Sequence, residues 1–256
     1  MIKIIFFHII LILEKFFPTK AIPVLAYHKI DESGSGLSVS QKNFEEQLKY
    51  LKQKNYKTIS PEQLEGFLSG QREAKGREVV ITFDDGFKDN AQNALPILNK
   101  YGFKAIFFIA TKFIGQESIF CSKAENKKFA MMNAEELKIL VNAGNYLANH
   151  FHSHTDLIKM DDSEIRIEYD KSSLILRSTG EKNIFSNVIS YPHNKKDDRI
   201  ISLIRKIGIK LAFGGRRGLA YRSGDNLDLP RIEIYLVDNM TKFKAKLSRF
   251  YYFFNK

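Results

Sequence analysis

Two short stretches of the chain, Thr82-Phe83-Asp84-Asp85-Gly86 and His150-Phe151-His152-Ser153-His154, hold residue types that can do hydrolytic chemistry on a metal. Two adjacent carboxylates repel each other if both leave water without a cation. A divalent metal removes the conflict by binding one and leaving the other as a base. Alone, the pentapeptide also reads as a solvated Asp-Asp-Gly turn. The second stretch contains three of the six histidines in the chain, and such clustering favours metal binding. His150 and His154, four apart, face the same way on a helical turn or tight loop, whereas His152 points elsewhere. One Asp and two His suit Zn2+ and leave a coordination position open for water, the arrangement of a catalytic rather than a structural site.

The elements that must position these residues are also legible. Glu78-Val79-Val80-Ile81-Thr82-Phe83 is short, β-branched and mostly apolar, as expected of a buried parallel strand, and it places Asp84 and Asp85 at its C-terminal end. In α/β folds that end of a strand is where sites are built. Gly86 permits a sharp turn, and Ala91, Leu95, Ile97 and Leu98 then have helical spacing. Strand-like runs at 24–28, 79–83, 105–110, 146–149 and 187–191 alternate with helical patterns near 41–53, 90–101, 134–143, 162–178 and 198–207. That alternation predicts a parallel sheet or barrel.

The chain resembles the polysaccharide deacetylases with a NodB homology domain, carbohydrate esterase family 4. The likeness rests on Ile22 to Ile30, Asn43 to Leu48, the Thr-Phe-Asp-Asp-Gly stretch, Ala94 to Leu98, Ala105 to Ile109, the histidine stretch, Ser190-Tyr191-Pro192 and Leu229-Pro230-Arg231-Ile232. It implies a distorted (β/α) barrel of about seven strands. It also implies that Asp84 is the general base and that Asp85, His150 and His154 bind one divalent ion, Zn2+, Co2+ or Ni2+. The implied reaction is removal of N-acetyl groups from amino sugars of an envelope polysaccharide, a lipid-linked glycan or a lipopolysaccharide precursor. Deformylation of a lipid-linked amino sugar, O-acetyl ester hydrolysis and a catalytically silent glycan-binding role are the alternatives.

Two departures from the family pattern matter. Many members have a late strand ending in the His that serves as general acid, but no His follows His193 here. His28, ending the first strand-like run, takes that part, as in the permuted members acting on poly-N-acetylglucosamine. The other reading is that Tyr27-His28 merely ends a strand. The family's third motif usually carries an Arg, where this chain has Ser190-Tyr191-Pro192-His193-Asn194, so Arg231 is expected to orient Asp84. Tyr191, Pro192 and His193 are expected to line the sugar pocket, with a main-chain N–H at His193 facing the oxyanion.

With 256 residues and 44% hydrophobic content the chain can bury one large core, and no Gly-, Ser- or Pro-rich linker divides it. The expected organisation is a membrane-associating segment over 1–20, the deacetylase domain over 21–245 and a basic-aromatic tail over 246–256. The single cysteine, Cys121, forms no intrachain disulfide and sits in a polar loop without nucleophile context. The net charge of +11 comes with no nucleic-acid recognition motif, so nucleic acid is not an expected partner, and no protein partner is inferred. Instead, the apolar run Ile4 to Leu13 is too short to span a bilayer, which takes about 20 residues, and suits a helix lying in the interface. At the other end, Lys242, Lys244, Lys246 and Arg249 interleave with Phe243, Phe250, Tyr251, Tyr252, Phe253 and Phe254. Basic residues among aromatics suit anionic headgroups, although an ordinary last helix explains them equally. The expected location is therefore a membrane surface, the bacterial inner membrane or cell envelope.

Overall fold

The structure is a computed structural model that describes residues 7, 9, 10, 12, 21–75, 77–118, 128–180, 182–222 and 224–254. Cys121 and most of the 1–20 segment lie outside the described residues. Seven parallel strands form the frame: β1 (Val24–Tyr27), β2 (Glu78–Phe83), β3 (Ile106–Ile109), β4 (Tyr146–Asn149), β5 (Ile184–Ser190), β6 (Leu211–Arg217) and β7 (Leu229–Glu233). Each pairs with the next, and β1 pairs with both β2 (Leu25↔Ile81) and β7 (Leu25↔Ile232), so the sheet closes on itself. The expected seven-stranded β/α barrel is thus the observed fold. A two-residue strand, Lys57–Thr58, extends β2 outside the ring.

Alternation along the strands divides the apolar residues into two sets. Val24, Val80, Ile106, Phe108, Ala148, Val188, Phe213 and Leu229 pack together and fill the barrel. The intervening residues, among them Leu25, Tyr27, Ile81, Phe83, Phe107 and Leu147, face outward. They are covered by α1 (Gln41–Gln53), α3 (Leu95–Tyr101) and α4 (Ala134–Asn142), while α2 (Pro61–Leu68) joins the inner set. On the other flank α5 (Asp162–Ser178) and α6 (Asp198–Lys206) bury Ile165, Tyr169, Ile200 and Ile204 against Ile189 and Ala212. Side-chain caps start α1, α4 and α5: Ser40 accepts from Asn43 N, and Asn133 and Asp161 form reciprocal capping boxes with Glu136 and Glu164.

The same parity has a functional result. With Val80 and Thr82 inward, the next inward position beyond β2 is Asp84; by the same count β1 offers His28, β4 His150, β5 Ser190 and β7 Arg231. All point from the C-terminal ends of their strands into one barrel mouth.

Three local features differ from the sequence expectation. The helix expected over 90–101 begins as a π-turn, Asn90–Ala94, and becomes α only at Leu95. Pro96 lacks the N–H that an α-helical bond across this junction requires. Two strands, β6 and β7, fall outside the periodic runs, because β6 contains Gly214-Gly215 and β7 contains Pro230. Both residue types weaken a ladder, and the β6–β7 register shifts between Phe213 and Arg217. Of the last helices, α7 (Met240–Lys246) lies against α1, and α8 (Arg249–Phe254) lies against α7.

Gly214 is fixed by a close approach. A Cβ there would meet Lys196 Nζ at 2.5 Å and Asp228 Oδ1 at 2.7 Å, the two partners of an ion pair of 2.8 Å. Gly214→Ala is expected to destabilise the fold by about 1–3 kcal/mol in urea unfolding. Gly36→Ala, where nothing lies within 4 Å, should stay within about 0.5 kcal/mol of the parent. Equal midpoints for the two variants would show that the Lys196–Asp228 pair does not constrain β6.

Candidate active site

The Asp-Asp turn is built from two successive left-handed residues, Asp85 at φ 74° and Gly86 at φ 91°. Gly takes this conformation freely, whereas Asp does so at a cost that the surroundings must offset. They do so through the backbone: Asp84 N donates to Tyr27 O, Ala110 N to Asp85 O and Met132 N to Gly86 O. The turn sends the two carboxylates in different directions.

Asp84, 2% exposed, faces Arg231, also 2% exposed, in a two-pronged ion pair: Nη1 to Oδ1 at 2.7 Å and Nη2 to Oδ2 at 2.8 Å. Ser190 Oγ donates to Oδ2 at 3.0 Å. Burial by itself would raise the Asp84 pKa; the Arg231 guanidinium, with help from His150 and the direct hydrogen bonds, outweighs it and brings the carboxyl down to about 2. Arg231 Nη2 also donates to Asn194 Oδ1 at 3.1 Å, and Asn194 Nδ2 to Glu233 at 2.8 Å.

Asp85 faces the histidines. Its Oδ1 lies 3.2 Å from His150 Nε2 and 3.1 Å from His154 Nε2, with all three residues buried. Their ligating atoms fall within 4.8 Å of one another, the one such group among the described residues. Burial disfavours the Asp85 charge, but His154 and His150 overcome it and hold the carboxyl well below its usual range. The histidine stretch is a tight loop and not a helical turn, with Phe151 at φ 60° and His154 at φ 57°. Asn149 Oδ1 accepts from Phe151 N at 2.7 Å, and Glu168 accepts from the His152 and Ser153 amides at 3.0 and 2.7 Å. His150 Nδ1 donates to Ser190 O at 2.8 Å, which leaves Nε2 as the nitrogen aimed at Asp85. One ionised carboxylate and two converging imidazole nitrogens fit a divalent cation. They also leave room in its coordination sphere.

The remaining expected residues divide. His152 turns away and pairs with Thr111 Oγ1 at 3.0 Å. His28 is half-buried one residue beyond β1, beside Asp84, and its charge contributes to lowering both Asp carboxyls. Its carbonyl is held by Asn90 Nδ2 at 2.8 Å. His193 is exposed at φ 56°, its ring 4.5 Å from that of His154. Tyr191 and Pro192 are buried, and Tyr191 donates its hydroxyl to Leu227 O at 2.7 Å. In this structure both side chains are packed in the core. Sequence reasoning missed Ser190, Asn194, Asn149 and Glu168. Ser190 alone carried a signal, as the inward residue before the Tyr-Pro step.

Residues 71–212 match the family model for polysaccharide deacetylases. The chain belongs to the polysaccharide deacetylase family. It is accordingly a carbohydrate deacetylase, a hydrolase of carbon–nitrogen bonds other than peptide bonds. YxkH of Bacillus subtilis is 28% identical over 213 residues, 83% of this chain and 71% of the relative. The poly-β-1,6-N-acetyl-D-glucosamine N-deacetylase of Staphylococcus aureus is 29% identical over 211 residues, 77% of this chain and 68% of its own length. Among solved structures, the deacetylase PplD of Streptococcus pyogenes in complex with acetate shares the fold at a TM-score of 0.78 and 25% identity, covering 89% of this chain and 98% of that one.

The Asp84–Arg231 pair sets an expectation for stability. A carboxyl depressed from 3.8 to about 2 stabilises the fold fully above its unfolded pKa, and the contribution is lost as pH falls through the folded value. Arg231→Ala leaves Asp84 buried and unpaired, and should cost about 3–5 kcal/mol at pH 7 by urea unfolding. A loss that does not shrink toward pH 2 would contradict the pairing.

Proposed function

We propose that this deacetylase removes N-acetyl groups from amino sugars of an envelope glycan, using one divalent metal, with Asp84 as base and His28 as general acid. The observation that carries the reading is the division of labour between adjacent carboxylates, one committed to Arg231 and the other to two histidines. The Staphylococcus aureus relative supports the substrate class by its name, and the intact Asp85, His150 and His154 group argues against a silent glycan-binding role.

Zn2+, Co2+ or Ni2+ held by Asp85 Oδ1, His150 Nε2 and His154 Nε2 would polarise the acyl carbonyl and acidify water. Of the two Asp84 oxygens, Oδ2 already accepts from Arg231 and Ser190, whereas Oδ1 accepts from Arg231 alone. Oδ1 is therefore the atom with a lone pair left for the proton of the attacking water. A carboxylate held at about 2 stays ionised through neutral pH, so the base is always ready, but it takes a proton only from strongly acidified water. Arg231 and Ser190 fix the plane of the carboxylate so that the proton transfer needs no side-chain rotation. When the tetrahedral adduct collapses, His28, on the neighbouring strand end, delivers a proton to the departing amine nitrogen. A backbone N–H at His193 would face the developing oxyanion.

Asp84→Asn is expected to retain one equivalent of zinc by elemental analysis while turnover of an N-acetylglucosamine oligosaccharide falls by about 10²–10⁴-fold. His28→Ala should behave alike, and Asp85→Ala should lose the metal as well. Metal retained in Asp85→Ala, or unchanged turnover in Asp84→Asn, rejects the assignment.

We also propose that the protein works at an anionic membrane surface. Supporting this, the two ends of the chain meet: the Phe7 ring lies 6.1 Å from that of Tyr251, while Ile9, Ile12, Phe253 and Phe254 are 49%, 57%, 68% and 51% exposed. Among the described residues, no helix is long and apolar enough to cross a membrane. Flotation with anionic vesicles should recover the full chain, with recovery falling steeply when Phe253 and Phe254 are both replaced by Ser. Equal recovery refutes the idea.

A further inference from the structure

One turn in the barrel mouth stands in a conformation that its sequence does not favour. His193 and Asn194 have φ 56° and φ 55°, the one pair of consecutive non-glycine residues in the left-handed region among the described residues. Glycine takes that region freely, whereas a residue with a Cβ stays there only where other contacts hold it. Asparagine is the least reluctant of the others, which accounts for the backbone at 194 but not at 193.

The Asn194 side chain supplies the contacts. Its Oδ1 accepts from Arg231 Nη2 at 3.1 Å, and its Nδ2 donates to Glu233 Oε1 at 2.8 Å. The partners fix the sense of the amide, because a guanidinium only donates and an ionised carboxylate only accepts. Arg231 and Glu233 are two apart on β7 and so share one face of the strand, which lets a single amide lie across both. Glu233 is itself held: its other carboxylate oxygen accepts from the Tyr235 hydroxyl, and its main-chain oxygen from Lys246 Nζ at 2.6 Å. Arg231 Nη2 serves both Asn194 and Asp84 Oδ2, so the residue that holds the base also holds the turn. The far side of the turn meets the histidine loop. His193 Nε2 lies 3.1 Å from His154 O, the centroids of the two imidazoles are 4.5 Å apart, and Lys195 Nζ reaches Asp156 Oδ2 at 2.6 Å. His193 and Lys195 are exposed, whereas Asn194 is half-buried between fixed partners. The β7 side is therefore the firm anchorage of the turn.

We propose that Asn194 is a positioning residue for the deacetylation: its amide clamps the turn at 192–195 to the strand that carries Arg231, and so sets where the His193 main-chain N–H stands relative to Asp84 and Asp85. The inference rests on the reading above, in which that N–H faces the developing oxyanion. A donor aimed at charge that develops during the reaction acts on turnover more than on binding of the neutral amide, so the clamp shows in kcat and not in KM. Glycine at 194 would adopt the same backbone and supply neither hydrogen bond, which separates the work of the side chain from that of the turn's conformation.

The test compares the zinc-loaded full chain with Asn194→Gly. Zinc content and the urea midpoint are expected to stay near the parent's, while kcat on an N-acetylglucosamine oligosaccharide falls about ten-fold or more and KM stays within about two-fold. Acetate, the acyl product, is expected to bind about five-fold or more weakly by calorimetry, a readout that needs no turnover. Asn194→Asp should lose a similar amount, because two carboxylates then face each other. Adding Glu233→Gln restores one donor and one acceptor between the two positions, leaves an oxygen for the Tyr235 hydroxyl, and should recover about five-fold or more of that loss. Unchanged kcat and acetate affinity in Asn194→Gly, or no recovery in the double variant, overturns the proposal. Loss of zinc or of the fold in Asn194→Gly would make the amide a structural tie and overturn it likewise. A parent that releases no acetate from the oligosaccharide sinks the deacetylase reading, and the acetate affinities of parent and variants then decide the clamp by themselves.

Discussion

The buried pair of Asp84 and Arg231 is the constraint around which the mouth of the barrel is organised. A carboxylate with almost no contact with water can keep its charge only if a cation is delivered to it from another strand, and β7 delivers one in two-pronged geometry. That requirement fixes β7 one strand away from β2, and β1, which pairs with both, closes the ring between them. Once Asp84 is committed to Arg231, its neighbour Asp85 is free to face the histidines. The left-handed turn is the means by which adjacent residues in sequence look toward different partners.

Much of this was legible in the chain itself. The strand before Asp84, the helix over Gln41–Gln53 and the helix over Asp162–Ser178 follow from periodicity because local pattern and tertiary burial agree there. Asp85, His150 and His154 could be assembled from spacing and residue type. The barrel's last third was harder. Gly214, Gly215 and Pro230 interrupt strand periodicity for reasons local sequence cannot express: a close ion pair in one case and a register shift in the other.

The site's supporting shell was illegible for a different reason. Asn149, Glu168 and Asn194 are ordinary polar residues, and their task is to accept or donate at positions brought near only by folding. Tyr191 shows the converse hazard. It stands in a functional motif, yet it is buried and its hydroxyl is bonded to Leu227 O in the core.

Ser190 is the residue whose geometry reaches furthest. Its hydroxyl holds Asp84, and its carbonyl holds the far nitrogen of His150, so a single peptide unit touches both halves of the centre. It acts as a gauge block: any shift of β5 displaces the proton acceptor and the ligand by the same vector, and their separation is preserved. For anyone transplanting this chemistry to another scaffold, copying the four named side chains would not be enough. The spacing between them is carried by a backbone oxygen, which no substitution can introduce and only a strand in the right register can supply.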